Sequence, residues 1–142
     1  MKIRELLQLI KERAIPLVKE DDHIDDVVEK VFEHPHTRII YVVDDQGILK
    51  GTISLGMLLR HIFAHTYEPK AHASSIIGMI TSEKAEHLMT KGLVTADVED
   101  DVREVMKRMA KAQVKEIAVV DKENRVIADV TVIDLLKFYK NS

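Results

Sequence analysis

Two similar stretches of the sequence decide the fold. Residues 126–138 read VIADVTVIDLLKF, and residues 49–61 read LKGTISLGMLLRH. Each stretch runs from a strand pattern, through a hydroxyl residue, into an apolar helix pattern. In the later copy the hydroxyl residue is Thr131, and a carboxylate, Asp134, follows three positions on; the earlier copy has Ser54 and Met57 instead. The chain therefore repeats itself, and the two copies differ in chemistry at one position.

The repeat extends toward the start of each copy. Apolar residues at helical spacing precede both stretches: Ile24, Val27, Val28, Val31 and Phe32 in the first, and Val102, Val105, Met106, Met109 and Ala110 in the second. A β-rich run containing VVD follows each helix, at 38–47 and 115–124. Gly47 and Asn124 then suit a turn with a left-handed residue.

The order of these patterns predicts the domain organisation. Each copy has a short strand, a helix, two strands and a final helix, so the fold class is α+β, with two repeats packed about a pseudo-twofold axis. The opening strands are predicted at 17–18 and 93–94, after lead-in helices at 2–12 and 84–90. The predicted boundaries are 1–65 for the first repeat, 66–83 for an ordered linker with a short helix, and 84–142 for the second repeat.

Composition limits the classes of function. The 142 residues are 46% apolar, enough for a packed core, and 21 basic residues nearly balance 24 acidic ones, which argues against a general nucleic-acid binder. Cysteine is absent, which fits a cytoplasmic protein. No apolar run is long enough to cross a membrane, and the first residues lack the features of a signal peptide.

In this arrangement the sequence resembles the CBS domains, a family named after cystathionine β-synthase. The resemblance rests on VVD at 42–44 and 119–121, on GTISLGM at 51–57, on ADVTVID at 128–134, and on the entry segment at 84–102. Two tandem copies correspond to what the family calls a Bateman module. The resemblance implies a regulatory, non-catalytic module that binds adenine nucleotides between its repeats and pairs into flat dimers.

The Thr131–Asp134 pair has two compatible interpretations. As a capping box, the hydroxyl accepts from a free helix amide and the carboxylate reaches back, which contributes about 1 kcal/mol. As a ligand site, the helix start suits a phosphate, and the carboxylate suits ribose hydroxyls. The resemblance implies the second pair of roles, with Thr131 on phosphate and Asp134 on ribose.

The remaining site residues are predicted from the second repeat. Thr95 follows the opening strand, Lys115 stands where it neutralises phosphate charge, and Ile117 and Ala118 are expected to wall the adenine. Two nearby residues depart from expectation: Ala128, where the family often has glycine, and Asp129, an acid inside a strand.

The corresponding cleft of the first repeat is predicted to be degenerate. Met57 offers no acceptor for ribose, although Ser54 keeps the hydroxyl. Lys19 is taken to replace Thr95, in a loop (19–23) two residues shorter than its counterpart (95–101). Arg38 at the rim keeps an anion site open, so the cleft is expected to be empty, filled by Met57 or used by another ligand.

Seven histidines raise the question of a metal site. His61 and His65 are spaced for one helix face, with His72, His34 and His36 nearby. No third ligand stands at firm spacing, so no metal is predicted.

These observations predict a stand-alone module that senses AMP, ADP or ATP in the second-repeat cleft. It is expected to form a homodimer, to act on an unknown partner in trans and to bind no nucleic acid or membrane. One alternative is a structural interaction module that binds no nucleotide, with Thr131 and Asp134 acting only as a cap. A weaker alternative is a metal-responsive or catalytic protein that uses the histidines.

Overall fold

The computed structural model describes residues 1–10, 12–66 and 83–141, with side chains for all of them except His65 and Thr66. The linker predicted between the repeats lies almost wholly outside these residues. The elements of the first half are α1 (Ile3–Leu9), β1 (Leu17–Lys19), α2 (Ile24–Glu33), β2 (Ile39–Val43), β3 (Leu49–Ser54) and α3 (Leu55–Thr66). Those of the second half are α4 (Ala85–Leu88), β4 (Thr95–Ala96), α5 (Val102–Ala112), β5 (Glu116–Val120), β6 (Val126–Thr131) and α6 (Val132–Lys140).

The repeated strands form two separate three-stranded sheets, in the orders β1-β2-β3 and β4-β5-β6. The short opening strand is parallel to its neighbour in each sheet, β1 to β2 and β4 to β5, while β6 is antiparallel to β5. Gly47 and Asn124 both have positive φ, +81° and +65°, in the turns predicted for them. The predicted α+β repeat is therefore confirmed.

The compact units do not follow the order of the chain. The second-repeat unit contains Met1–Ile15, Gln46–Leu49 and Leu93–Ser142, and the first-repeat unit contains Pro16–Asp45 and Lys50–Gly92. Each lead-in helix thus belongs to the unit of the other repeat, although the predicted boundaries placed each with the repeat that follows it.

Backbone hydrogen bonds show how the lead-in helices dock. In the second-repeat unit the amides of Ile3 and Arg4 donate to the loop before α5, at the carbonyls of Asp100 and Val98. In the first-repeat unit the first amides of α4 donate in the same way to the loop before α2. These bonds satisfy amides that a helix start leaves free, and apolar contacts add to them, since Ile3 and Leu6 are buried in the second-repeat core.

The strand β4 starts two residues later than predicted. Leu93 and Val94 are only half-buried and lie before the strand, whereas Thr95 and Ala96 pair with Ala118 and Val119. The apolar pair suited a strand by composition, but the partner strand pairs with the two residues that follow. The lead-in helices are also shorter than predicted at both ends.

Several large apolar side chains remain exposed on helix surfaces. In the first-repeat unit these are Phe32, Leu59 and Phe63, and in the second-repeat unit they are Leu9, Ile133, Leu136 and Tyr139. Phe32 and Ala110, the last members of the two predicted apolar faces, both point to solvent. Among the helices in the described part of the chain, none combines the length and apolar character that a membrane crossing requires.

We predict that Gly51→Ala destabilises the protein by about 1–3 kcal/mol, the usual effect of overpacking. A Cβ at Gly51 meets the Met89 side chain, with Sδ at 2.5 Å and Cβ at 2.8 Å. Urea unfolding measures the loss. Introducing Gly51→Ala into a Met89→Gly background is expected to reduce it to less than about 0.5 kcal/mol, because all three clashing side-chain atoms are gone.

Gly56→Ala is the matched control. A Cβ there meets nothing closer than 3.5 Å, and Gly56 lies within α3, so alanine is expected to stabilise by roughly 0.5–1 kcal/mol. Equal effects of the two alanine substitutions contradict the role assigned to the Gly51–Met89 contact.

Candidate functional site

The Thr131–Asp134 pair forms the start of α6. The hydroxyl Oγ1 of Thr131 accepts from the amide of Asp134 at 3.3 Å, and Asp134 Oδ2 accepts from the amide of Thr131 at 2.8 Å. The Thr131 hydroxyl also lies 3.1 Å from Asp134 Oδ2. This is the reciprocal arrangement of a capping box, so the capping interpretation holds in this structure.

Arg13 also binds the Asp134 carboxylate, and the sequence did not predict this contact. Its Nη1 donates to Oδ1 at 3.0 Å and its Nη2 to Oδ2 at 2.6 Å. The same guanidinium reaches Asp129, with Nε 3.4 Å from Oδ1 and Nη2 3.1 Å from the carbonyl oxygen. We call Arg13, Asp129 and Asp134 the guanidinium cluster. It accounts for Asp129, the acid inside a strand.

The two carboxylates of the cluster are more deeply buried than the guanidinium. The side chains of Asp129 and Asp134 are 6% and 8% exposed, and that of Arg13 is 37% exposed. Burial alone raises the pKa of Asp134, but the hydrogen bonds from Arg13 and Thr131 prevail and hold that pKa below its ordinary value. The two carboxylates raise the pKa of Arg13 above its ordinary value against the opposing effect of burial. Arg13 thus binds both buried carboxylates.

A cavity of about 550 Å³ adjoins the cluster within the second-repeat unit. Arg13 and Asp134 are among its lining residues, together with Lys137 and Glu12. The apolar part of the lining comes from the first residue of the chain, from α1 and the residue that follows it, and from one position of α6: Met1, Leu6, Leu9, Ile10 and Phe138. A pocket of this size, mostly apolar with a few charged groups, is typical of a small-molecule site.

The other residues predicted for the site differ in their exposure to solvent, and of these Lys115 is bonded to the start of α6. Lys115 is exposed, and its carbonyl accepts from the amide of Val132 at 2.9 Å. Thr95 is half-buried, and its carbonyl accepts from Arg108 at 2.6 Å. Ile117 and Ala118 are each 1% exposed, so in this conformation neither side chain presents a wall to a ligand.

The first-repeat unit has the same contacts with different chemistry. Ser54 Oγ accepts from the amide of Met57 at 3.2 Å, so it caps α3. Thr90, which follows a lead-in helix as Arg13 does, donates from its hydroxyl to Met57 Sδ at 3.1 Å and pairs through its backbone with Thr52. Met57 and Thr52 stand 77 residues before Asp134 and Asp129. The same two positions are therefore contacted in both units, without charge in the first.

The strand register corrects the position assigned to Lys19. Leu17 pairs with Tyr41 as Thr95 pairs with Ala118, so Leu17 is the counterpart of Thr95. Lys19 lies two residues further on and binds Asp45 at 3.1 Å. The loops that follow Val18 and Ala96 then have equal length, and the predicted shortening was a consequence of the misplaced β4 strand.

Arg38 is exposed beside the start of α3, where its carbonyl accepts from the amide of Leu55 at 3.1 Å. This position matches that of Lys115 in the other unit.

The described histidines do not assemble into a cluster. His61 Nε2 lies 2.8 Å from Glu83 Oε2. Within residues 1–10, 12–66 and 83–141 no group of three or more potential ligand side chains is arranged to hold a metal ion. The side chain of His65 and all of His72 lie outside the described residues, so the absence of a metal site stays a prediction.

Three solved structures of CBS-domain and channel proteins have a fold similar to that of this chain. A CBS domain-containing protein from Thermotoga maritima is 23% identical with a TM-score of 0.77, over 100% of this chain and 96% of that one. The CBS domain pair of protein MJ0100, in complex with 5′-methylthioadenosine and S-adenosyl-L-methionine, is 19% identical with a TM-score of 0.75, over 99% and 97%. The cytosolic domain of the Mg²⁺ channel MgtE, in complex with ATP, is 26% identical with a TM-score of 0.66, over 87% and 44%.

A curated protein sequence also matches. Homoserine O-acetyltransferase from Methanohalobium evestigatum is 25% identical over 130 residues, which are 82% of this chain and 26% of that protein. The chain therefore spans about a quarter of the length of this relative.

Comparison with models of protein families finds the same model twice in the chain. The model of the CBS domain matches residues 8–64 and again residues 85–141. These two matches cover both repeats and most of the sequence, and the chain therefore belongs to the CBS domain family, as a tandem pair of CBS domains.

Proposed function

We propose that the chain is a regulatory CBS pair that binds an adenine nucleotide at the start of α6 and acts on a protein partner in trans. The observation that carries the proposal is the buried Asp134 carboxylate at the rim of the cavity, one helical turn from the Thr131 hydroxyl. A carboxylate is the acceptor that a ribose diol needs, and a helix start with a hydroxyl favours phosphate. The cytoplasm is the compartment proposed for this role.

The cavity between α1 and α6 supports a place for the base. Its apolar side chains suit a flat aromatic ring, and Lys137 adds a cation near Asp134. Because Ile117 and Ala118 are buried in this conformation, this cavity is a better candidate for the base than the wall predicted from the sequence.

The ligands of similar structures support the same chemical class. Those of MJ0100 and MgtE are 5′-methylthioadenosine, S-adenosyl-L-methionine and ATP, which share an adenosine core. The curated relative carries an acetyltransferase name, but the matched part is about a quarter of it, so no acyl transfer is proposed. The regulatory mechanism is differential affinity, in which the nucleotide stabilises one of two conformations.

The exposed apolar side chains support a homodimer as part of the proposal. Leu59 and Phe63 are four positions apart on α3, and Ile133 and Leu136 are three apart on α6, with exposed fractions of 56–69%. Side chains at these spacings share one helix face, and contiguous exposed apolar faces mark association sites. A second copy of the chain is the proposed occupant, because the family commonly pairs in this way.

We predict that Asp134→Asn weakens AMP binding by about tenfold to a hundredfold, because a charge-assisted pair of ribose hydrogen bonds is lost. Isothermal titration calorimetry with AMP, ADP and ATP measures the change, and wild type is expected to bind at one site per chain. Asp134→Asn also removes the charge that Arg13 binds, so we expect a folding loss of about 1–3 kcal/mol.

Asp26→Asn provides the matched control. Asp26 stands at the third position of α2 in the first-repeat unit, and its Oδ2 accepts from the amide of His23 at 3.0 Å, so its substitution tests the loss of a capping acid in the other unit. Its nucleotide affinity is expected to equal that of wild type. Unchanged affinity in Asp134→Asn assigns the Thr131–Asp134 pair to capping alone and favours the interaction module without nucleotide.

We also predict a solution mass of twice the 16.2 kDa chain, measured by light scattering during size-exclusion chromatography. Leu59→Lys and Leu136→Lys are expected to shift the protein toward monomer, because a lysine charge opposes burial of either face. Ile127→Lys is the control, since Ile127 is exposed on β6 and not on these helices. A wild-type monomer at high micromolar concentration contradicts the homodimer.

A further inference from the structure

We infer that Arg13 selects phosphorylated nucleosides, by exchanging the Asp134 carboxylate for the phosphate of the ligand. This inference rests on the proposed function and names the ligand class that the site accepts. It assigns Arg13 a role in specificity that neither the sequence pattern nor the ligands of similar structures suggest.

The first step of the argument concerns the acceptors of Asp134. Arg13 binds both carboxylate oxygens, at 3.0 and 2.6 Å, and Oδ2 also accepts from Thr131. Oδ1 accepts from Arg13 alone, but a ribose diol that binds the carboxylate through both oxygens meets Arg13 on each of them. A nucleoside that binds Asp134 in this bidentate way therefore competes with the Arg13 guanidinium.

The second step concerns where that guanidinium goes. The guanidinium is planar and rigid, so it leaves Asp134 by turning as one group about the bonds of the Arg13 side chain, which is 37% exposed. Asp134 Oδ2 lies 2.6 Å from Arg13 and 3.1 Å from the Thr131 hydroxyl. The guanidinium thus lies beside the start of α6, where phosphate is proposed to bind. Bidentate binding of phosphate is a preferred geometry of arginine.

The third step is a balance of charge. Arg13 faces the carboxylates of Asp129 and Asp134. A phosphate that approaches Asp134 is repelled by the negative charge of that carboxylate until the guanidinium turns toward the phosphate. After the exchange, the carboxylate receives the ribose hydroxyls and the guanidinium receives the phosphate. Adenosine supplies only the hydroxyls and leaves the guanidinium without a new anion.

The first-repeat unit provides an internal contrast. Thr90, Thr52 and Met57 make the corresponding contacts with no charged group. No exchange of ionic partners is available among these three residues, so the selectivity is assigned to the second-repeat unit.

Calorimetric titration with AMP and with adenosine tests the inference. Wild type is expected to bind AMP at least about tenfold more tightly than adenosine. In Arg13→Gln that ratio is expected to fall by about tenfold or more, with adenosine bound as well as in wild type or better, because Asp134 is released. If Arg13 has only a structural role, Arg13→Gln lowers the affinity for both ligands equally and leaves the ratio of the AMP and adenosine affinities unchanged.

Arg4→Gln is the matched control, because Arg4 lies on α1 and pairs with the exposed Glu99. It is expected to keep the wild-type ratio. If Arg13→Gln folds poorly because two buried acids have lost their contacts with Arg13, the double variant Arg13→Gln/Asp129→Asn is compared with Asp129→Asn, and the same loss of ratio is expected.

Two outcomes overturn the inference and are distinguishable. An AMP-to-adenosine ratio that is the same in Arg13→Gln and wild type rejects the exchange and leaves nucleotide binding intact. An absence of binding of either ligand to wild type, Arg4→Gln and Arg13→Gln rejects the proposed function together with the exchange.

Discussion

The guanidinium of Arg13 binds two buried carboxylates, those of Asp129 and Asp134, and the candidate site depends on that interaction. Asp129 and Asp134 are each 7% exposed, and a buried carboxylate without a partner is strongly destabilising. Arg13 reaches both from the segment that follows α1. The ion pairs therefore add to the apolar contacts of Ile3 and Leu6 in attaching the start of the chain to the second repeat. They also orient the carboxylate to which ribose binding is assigned.

The two repeats show how one fold is used with different chemistry. The segment after a lead-in helix contacts the same two positions in both units, as Asp129 and Asp134 in one and Thr52 and Met57 in the other. Packing differs as well, because Met89 lies against Gly51 with no room for a Cβ, whereas the corresponding Ala128 carries one. The charged pair (Asp129 and Asp134) and the uncharged pair (Thr52 and Met57) thus make the same contact with different chemistry.

Much of the fold could be predicted from the sequence because its signals are local. The helix faces, the VVD strands and the turns at Gly47 and Asn124 are patterns within about ten residues, and the doubling of the chain reinforced each of them. The Thr131–Asp134 cap was found in the same way. The β4 strand was misplaced because Leu93 and Val94 are the more apolar pair, while strand pairing is decided by a partner more than twenty residues away.

Arg13 could not be predicted because its partners lie 116 and 121 residues along the chain. Arg13 and its partners come together because Met1–Ile15 belongs to the unit of the second repeat. No local sequence pattern indicates this arrangement. One signal was present, since an acid at position 129 inside a strand needs a nearby cation if it is buried. That signal indicates that Asp129 needs a cationic partner, but it does not identify the residue. The predicted boundaries also placed Arg13 in the other repeat.

A double-mutant cycle of Arg13→Gln and Asp134→Asn tests the central claim most directly. The free energies of unfolding of the four proteins in urea at pH 7 are expected to give a coupling of about 1–2 kcal/mol, a modest value because Arg13 is partly exposed and screened. The depressed pKa of Asp134 means that this coupling is present at neutral pH and is lost as pH falls through that pKa, below the ordinary value of 3.8. Additive effects of the two substitutions at pH 7 would contradict the account.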